Sequence, residues 1–299
     1  MAGATIISSC SPTPPTASDP AETDAAAVTP ATRDRTTLRL LYSQVPLTLN
    51  PHLATGIQDF EAGRIVYEPL ATTDERGELV PILAAAIPTV EDGSVAADGK
   101  SVTWQLQPDV QWADGEPLTA EDVVFTFDFV SNPQVGAATA QYYEAVESVE
   151  AIDELTVKIT FKDVTAAWQI PFTGQTGVIL PQHLLADVDD AATRSAEVNQ
   201  QPIGTGPYQV ADRQPGAIVF EPNPTYRASA PIFQTVELVG GLAPYAAARE
   251  VLSTGEADFA HNLQVEVALL KDLQQDGQGV VDTVFGGLVE RVMLNPTNP

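Results

Sequence analysis

Apolar and polar positions alternate in several stretches of this chain, and the alternation predicts strands. Over Thr37–Tyr42, Leu38, Leu40 and Tyr42 share one face while Arg39 takes the other. The clearest case is 101–107, where Val102, Trp104 and Leu106 oppose Ser101, Thr103, Gln105 and Gln107. Asp98-Gly99 ahead of it is a turn signal, and 86–90 reads as its hairpin partner. A second hairpin is predicted over 146–161, turning at Asp153-Glu154, with Leu155, Val157, Ile159 and Phe161 on one face. Further strands are predicted at 217–221, 235–239, 280–285 and 289–294. Helical spacing appears at 57–70, with Pro69 marking its end, and at 245–253 and 265–274. A helix opening at Thr119-Ala120-Glu121-Asp122 has a cap at Thr119 and an acid at the capping-box position, Asp122. Its buried face is Val123, Val124, Phe127 and Val130, and Asn132-Pro133 ends it. These elements predict a mixed α/β (α+β) body, with a compact α+β unit at about 71–165.

Ahead of that body, 11–35 is rich in Ser, Thr, Pro, Ala and Asp and nearly free of large apolar residues. Such a segment cannot bury enough surface to offset its chain entropy, so it reads as a linker. No stretch reaches the ~20 apolar residues of a membrane span.

The 14 basic and 40 acidic residues give a net charge of −26. Nucleic acids and anionic membrane surfaces are held by Lys and Arg that neutralise phosphates, so neither is expected as a partner. The acid excess reads as a solvated, aggregation-resistant surface. The single cysteine, Cys10, rules out an internal disulfide and a cysteine-based zinc site. It follows Ile6-Ile7-Ser8-Ser9, a run that resembles a bacterial lipoprotein box, in which the cysteine carries the lipid; 1–10 then reads as a partial lipoprotein signal. The histidines, His52, His183 and His261, are far apart, and neither HExxH nor GxSxG is present. Catalytic residues and a metal site are therefore not expected.

From Asp98 to Val123 the chain becomes specific. Asp98-Gly99-Lys100-Ser101-Val102-Thr103-Trp104 and then Gln111-Trp112-Ala113-Asp114-Gly115-Glu116-Pro117-Leu118-Thr119-Ala120-Glu121-Asp122-Val123 resemble the signature of the family 5 extracellular solute-binding proteins, the peptide, dipeptide and nickel binders of ABC importers. Leu49-Asn50-Pro51-His52, Tyr67-Glu68-Pro69-Leu70, Pro202-Ile203-Gly204-Thr205-Gly206-Pro207-Tyr208, Asn223-Pro224-Thr225-Tyr226 and Val251-Leu252-Ser253-Thr254-Gly255-Glu256-Ala257-Asp258 are similar to further blocks in the same order.

The resemblance implies a type II periplasmic-binding-protein-like fold of two lobes. The first-lobe domain would comprise 36–70 and 166–290, with 71–165 as an inserted small α+β domain. Val292-Met293-Leu294-Asn295 resembles the crossing strand into the second lobe, so 291–299 would begin that crossing and the second lobe would be absent. The family's ligand contacts map onto Thr55, Gly56, Ile57 and Gln58 and onto Thr173, Gly174 and Gln175. These are Gly-containing loops able to present backbone groups to an extended peptide. Gly204-Thr205-Gly206 lacks the Gly-Lys-Ser/Thr of a phosphate loop; it is either a tight turn on the sheet or a ligand contact through Gly204 and Thr205. Trp104 and Trp112 read as core aromatics, and Trp168 as one that could line the cleft.

The implied function is extracytoplasmic capture of a peptide or related solute and its delivery to ABC permease subunits. No cofactor is implied, membrane contact is only through a lipid on Cys10, and a full-length monomer is expected. A secreted hydrolase or a non-transport sensor on the same fold is the alternative.

Overall fold

The computed structural model describes residues 36–189, 192–260, 266–275 and 281. Cys10 with the 1–10 segment, the 11–35 linker, His261, the strands expected at 280–285 (Val281 apart) and 289–294, and the 291–299 crossing lie outside them.

Two sheets organise the described residues. In the larger, β1 (Thr37–Tyr42) lies between β9 (Thr235–Gly240) and the short β10 (Phe259–Ala260), both parallel to it. Then β8 (Ala217–Pro222) and β7 (Tyr208–Gln214) continue the sheet antiparallel, giving the order β10-β1-β9-β8-β7. The alternation in β1 decides what each face buries. Tyr42 joins Ile218, Phe220, Val236 and Leu238 on one face, packed against Ala62 of α1 (Ile57–Gly63) and against Val66. Leu41 points to the other, where Ala247 of α4 (Pro244–Arg249) covers it. Arg39, on the same face as Leu41, pairs with Glu237 of β9 at 2.8 Å.

The second sheet is antiparallel, with β6 (Thr156–Phe161) between β4 (Ser101–Gln105) and β5 (Val146–Asp153). A two-stranded ribbon, β2 (Ala71–Thr73) with β3 (Leu79–Pro81), stands apart from it. Helix α2 (Ala120–Ser131) packs on β5 and β6. Trp104, Val123, Val157 and Ile159 are fully buried in its core, which runs on without a break into Leu53, Tyr67, Leu70, Phe172 and Val178. The acid placed by the capping pattern serves two helices. Asp122 Oδ2 accepts from Thr119 N at 2.9 Å, and Oδ1 accepts from Gln182 N at 2.9 Å, at the start of α3 (Gln182–Leu185). Burial raises the Asp122 pKa, and these hydrogen bonds oppose the rise.

Several expectations change. The helix predicted over 57–70 stops at Gly63, because the Val66 carbonyl is taken by Gly206 N at 2.8 Å and Glu68 precedes a proline. The strand at 101–107 ends at Gln105. Its flank is not 86–90 but isolated bridges, Ala84 to Leu106 and Val95 to Val102; Pro88, with no N–H, cannot sustain a ladder there. Helix α4 stops at Arg249 and passes into a π-helical turn, Glu250–Thr254, closed by left-handed Gly255 at φ +67°. Helix α5 spans Val267–Gln275.

The motif blocks meet in one knot. A Cβ on Gly204 would sit 2.0 Å from the Val66 carbonyl oxygen, and one on Gly206 2.6 Å, so both positions need glycine for close approach. Ala113 N donates to Gly204 O at 3.0 Å, Asn223 Nδ2 to Gly206 O at 2.8 Å and Thr225 Oγ1 to Trp112 O at 3.0 Å. Arg227 closes the knot on Glu68 with a two-pronged pair, Nη1–Oε2 2.6 Å and Nη2–Oε1 3.1 Å.

Candidate functional site

The loop before α1 is set by a buried carboxylate. Asp59, wholly buried, accepts from Leu47 N at 2.8 Å through Oδ1 and from Thr55 N at 2.8 Å and Thr55 Oγ1 at 2.9 Å through Oδ2. Arg213 of β7 holds the same loop from outside, donating to Pro46 O at 2.6 Å. Burial lowers the Arg213 pKa, and the nearby Asp59 carboxylate opposes that. With its hydroxyl spent on Asp59, Thr55 offers a fixed backbone. Ile57, the first residue of α1, is 40% exposed despite being apolar.

Beside this loop lies a cleft of about 340 Å³, near the lower end of the ~300–1,000 Å³ range of small-ligand pockets. One wall is Ala54, Thr55, Gly56, Ile57 and Phe60. A second is Ala138, Gln141 and Tyr142, and Gln175 supplies a third. Among the described residues no acid, Lys, Arg or His lines it.

The third wall rests on unusual backbone. Phe172 is fully buried with φ +61°, and its ring meets Tyr143 edge-on at 5.1 Å. A bulky side chain in left-handed backbone is rare and persists only where its surroundings hold it. Leu70 N ties it down by donating to Phe172 O at 2.9 Å. Gly174, also left-handed, then starts the 3-10 turn Gly174–Thr176 that carries Gln175.

His52 sits beneath all three walls. It is fully buried, with Nδ1 2.6 Å from Thr139 Oγ1 and Nε2 2.8 Å from Val178 O. Its own carbonyl accepts from Ala138 N at 2.7 Å. Burial lowers its pKa to about 4, with the Val178 bond opposing the fall, so the imidazole is neutral at pH 7. The Val178 carbonyl can only accept, so Nε2 carries the proton and Nδ1 accepts from Thr139.

The structure thus brings four of the nine ligand candidates, Thr55, Gly56, Ile57 and Gln175, into one cleft. Gln58 lies against Gly56, within 2.5 Å of where a Cβ would be. Thr173 spends its hydroxyl on Gln169 O at 2.5 Å, and Gly174 frames the wall. Gly204 and Thr205 do not line this cleft; both are buried in the motif knot. Trp104 and Trp112 are fully buried. Trp168 packs on Trp104, ring centres 5.9 Å apart, and is not in the cleft. His183 pairs with Asp114 at 2.8 Å. Among the described residues no group of three or more His, Cys, Asp or Glu could hold a metal, and no helix is long and apolar enough to cross a membrane. The sequence reading missed Phe60, Gln141 and Tyr142; the run 137–143 has no clear periodicity to single it out.

Residues 69–299 match the family model described as bacterial extracellular solute-binding proteins, family 5 Middle. A Brucella ovis protein named for peptide binding in an ABC transporter is 32% identical over 219 residues, 71% of this chain and 38% of that protein. The chain therefore spans about two fifths of that relative's length. Among solved structures, MoaA of A. tumefaciens R10, in complex with mannopinic acid, superposes with a TM-score of 0.72 at 26% identity, over 85% of this chain and 50% of that one. NikZ from Campylobacter jejuni, in complex with Ni(L-His), gives 0.68 at 25% identity over 82% and 46%. The fold is the type II periplasmic-binding-protein-like mixed α/β fold of these neighbours.

Proposed function

Because this chain belongs to the bacterial extracellular solute-binding proteins of family 5, we propose that it captures a peptide or closely related small solute outside the cell membrane and presents it to the permease of an ABC importer. The observation that carries this reading is the cleft where Thr55, Gly56 and Ile57 meet Gln175 across from Gln141 and Tyr142. Among the described residues its walls offer backbone groups, two carboxamides and two aromatic rings, and no acidic or basic side chain. That set suits the neutral main chain of a peptide, where amides supply directional hydrogen bonds and rings pack on whatever side chain passes. A chelated cation would find no counter-charge among these wall residues. The name of the Brucella ovis relative, which points to peptides, supports the same choice. This chain's cleft covers one face of the ligand, and closure of a second lobe over the other would let the permease read occupancy as shape.

Calorimetry with oligoalanines of two to five residues, the nickel–histidine complex and mannopinic acid tests the reading. Saturable binding of the oligoalanines and of neither other ligand is expected. Preference for the nickel complex or the opine overturns the peptide assignment, and release of cleaved product overturns binding in favour of hydrolysis. Cys10 lies in a lipoprotein-box-like run, and we propose that it carries the lipid anchor. Labelled palmitate incorporated by a bacterial host, and lost in Cys10→Ala, is the expected result; equal labelling of both proteins refutes it.

A further inference from the structure

The cleft has three walls from three separate segments, and one residue, His52, connects them: its backbone runs into the first, and its ring bonds the segments of the other two. His52 lies one residue before Leu53-Ala54, where the first wall starts. Its carbonyl accepts from Ala138 N at 2.7 Å and its Nδ1 lies 2.6 Å from Thr139 Oγ1, two residues before Gln141. Its Nε2 holds Val178 O at 2.8 Å, three residues after Gln175. We infer that His52 is a positioning residue whose neutral imidazole locks the second and third walls to the segment that leads into the first, so that acidification loosens the cleft through a group that does not line it. The inference rests on the cleft being the ligand site, as proposed above.

The hydrogen-bond chemistry requires this dependence. In the neutral ring Nδ1 accepts the Thr139 hydroxyl proton. A proton on Nδ1 turns it into a donor facing that hydroxyl, which must rotate and send its own proton elsewhere. Thr139 is fully buried, so the rotated proton gains no water. The cation itself would be buried beside apolar rings, Phe129 at 6.5 Å and Tyr143 at 6.3 Å.

The ionisable neighbours supply no compensating charge. Tyr143 stays neutral, its pKa pushed up by burial. Arg194, itself a cation, donates to Leu53 O at 3.0 Å and to Gly136 O at 2.7 Å, so it ties the segments that lead into the first two walls and offers a protonated ring no counter-charge. Asp59, the buried acid of α1, is committed to Leu47 and Thr55. Asn50, whose side chain accepts from His52 N and donates to Asn199, is uncharged.

Amide and imidazole NMR of the ligand-free chain between pH 7.5 and 3.5 reads this directly, with no dependence on which solute binds. The expected result is His52 protonated on Nε2 alone at pH 7. Amide shifts at 54–57, 138–142 and 175 should then move together with its ring nitrogens, with a midpoint near pH 4. In His52→Gln, which keeps a donor and an acceptor but does not titrate, the common transition should disappear. In Thr139→Ser, which restores the hydroxyl, it should persist. Wall amides that titrate identically in wild type and His52→Gln overturn the inference, as does a global loss of far-UV circular dichroism with the same midpoint in both.

Discussion

Replacing Glu68 by Gln removes one charge from the pair that closes the motif knot. Its side chain is 10% exposed and that of Arg227 18%. The guanidinium makes both prongs of the carboxylate pair and also donates to Ile82 O at 3.0 Å, with its carbon 5.5 Å above the Tyr226 ring. Breaking a buried pair by removing one partner costs about 3–5 kcal/mol, because the other charge is left without compensation. Partial exposure and the single acceptor oxygen that Gln retains place the expected loss near the lower end, about 3 kcal/mol. With a urea slope of about 3 kcal/mol/M, that lowers the midpoint by about 1 M. Adding Arg227→Met should recover part of the loss, since no orphaned cation then remains. Denaturation of the wild type, both single variants and the double variant, followed by tryptophan fluorescence, measures each term. A loss below about 0.5 kcal/mol for Glu68→Gln, or strict additivity in the double variant, would refute the view that this pair holds the knot.

Two further outcomes follow from the same structure. Gly204→Ala should lower thermal stability by more than about 2 kcal/mol, because its Cβ meets a backbone carbonyl at 2.0 Å. Gly216→Ala, with φ +94° but open space, should cost only the roughly 1 kcal/mol of left-handed backbone; equal losses at the two sites would contradict the close-approach argument. The stabilisation that neutral His52 gives relative to His52→Gln should be fully present above pH 6.5, its unfolded value, and fade as pH falls toward about 4, its folded one. The gap should close by about 3 kcal/mol at 1.36 kcal/mol per pH unit, and a gap that does not change between pH 7 and 4 would show that the ring titrates normally.

Much of this architecture is legible in the chain itself, because period-two alternation survives wherever one face of a strand is buried. Leu38, Leu40 and Tyr42, or Val157, Ile159 and Phe161, announce their sheets. The capping pair Thr119 and Asp122 announces α2. Long-range partners leave no such trace. The helix at 57–70 is cut short by the Gly206 amide, which arrives from 140 residues away to take the Val66 carbonyl. The pairing of β4 with β6 rather than with 86–90 is likewise decided at a distance. Of the cleft, Thr55, Gly56, Ile57 and Gln175 come from the family resemblance, whereas Gln141 and Tyr142 sit in a turn whose residues carry no pattern. A glycine can also have a packing reason: at Gly204 a backbone carbonyl leaves no room for a Cβ.

On the proposed function, a peptide main chain binds in the cleft between 54–60, 138–142 and 175. Amide NMR of the chain titrated with tetra-alanine tests it most directly. Saturable shifts confined to those segments are expected, with affinity about tenfold weaker in Gln175→Ala, the worth of one hydrogen bond at roughly 1.4 kcal/mol. Shifts centred instead on Gly204 and Thr205, or saturable binding unchanged in Gln175→Ala, would contradict it.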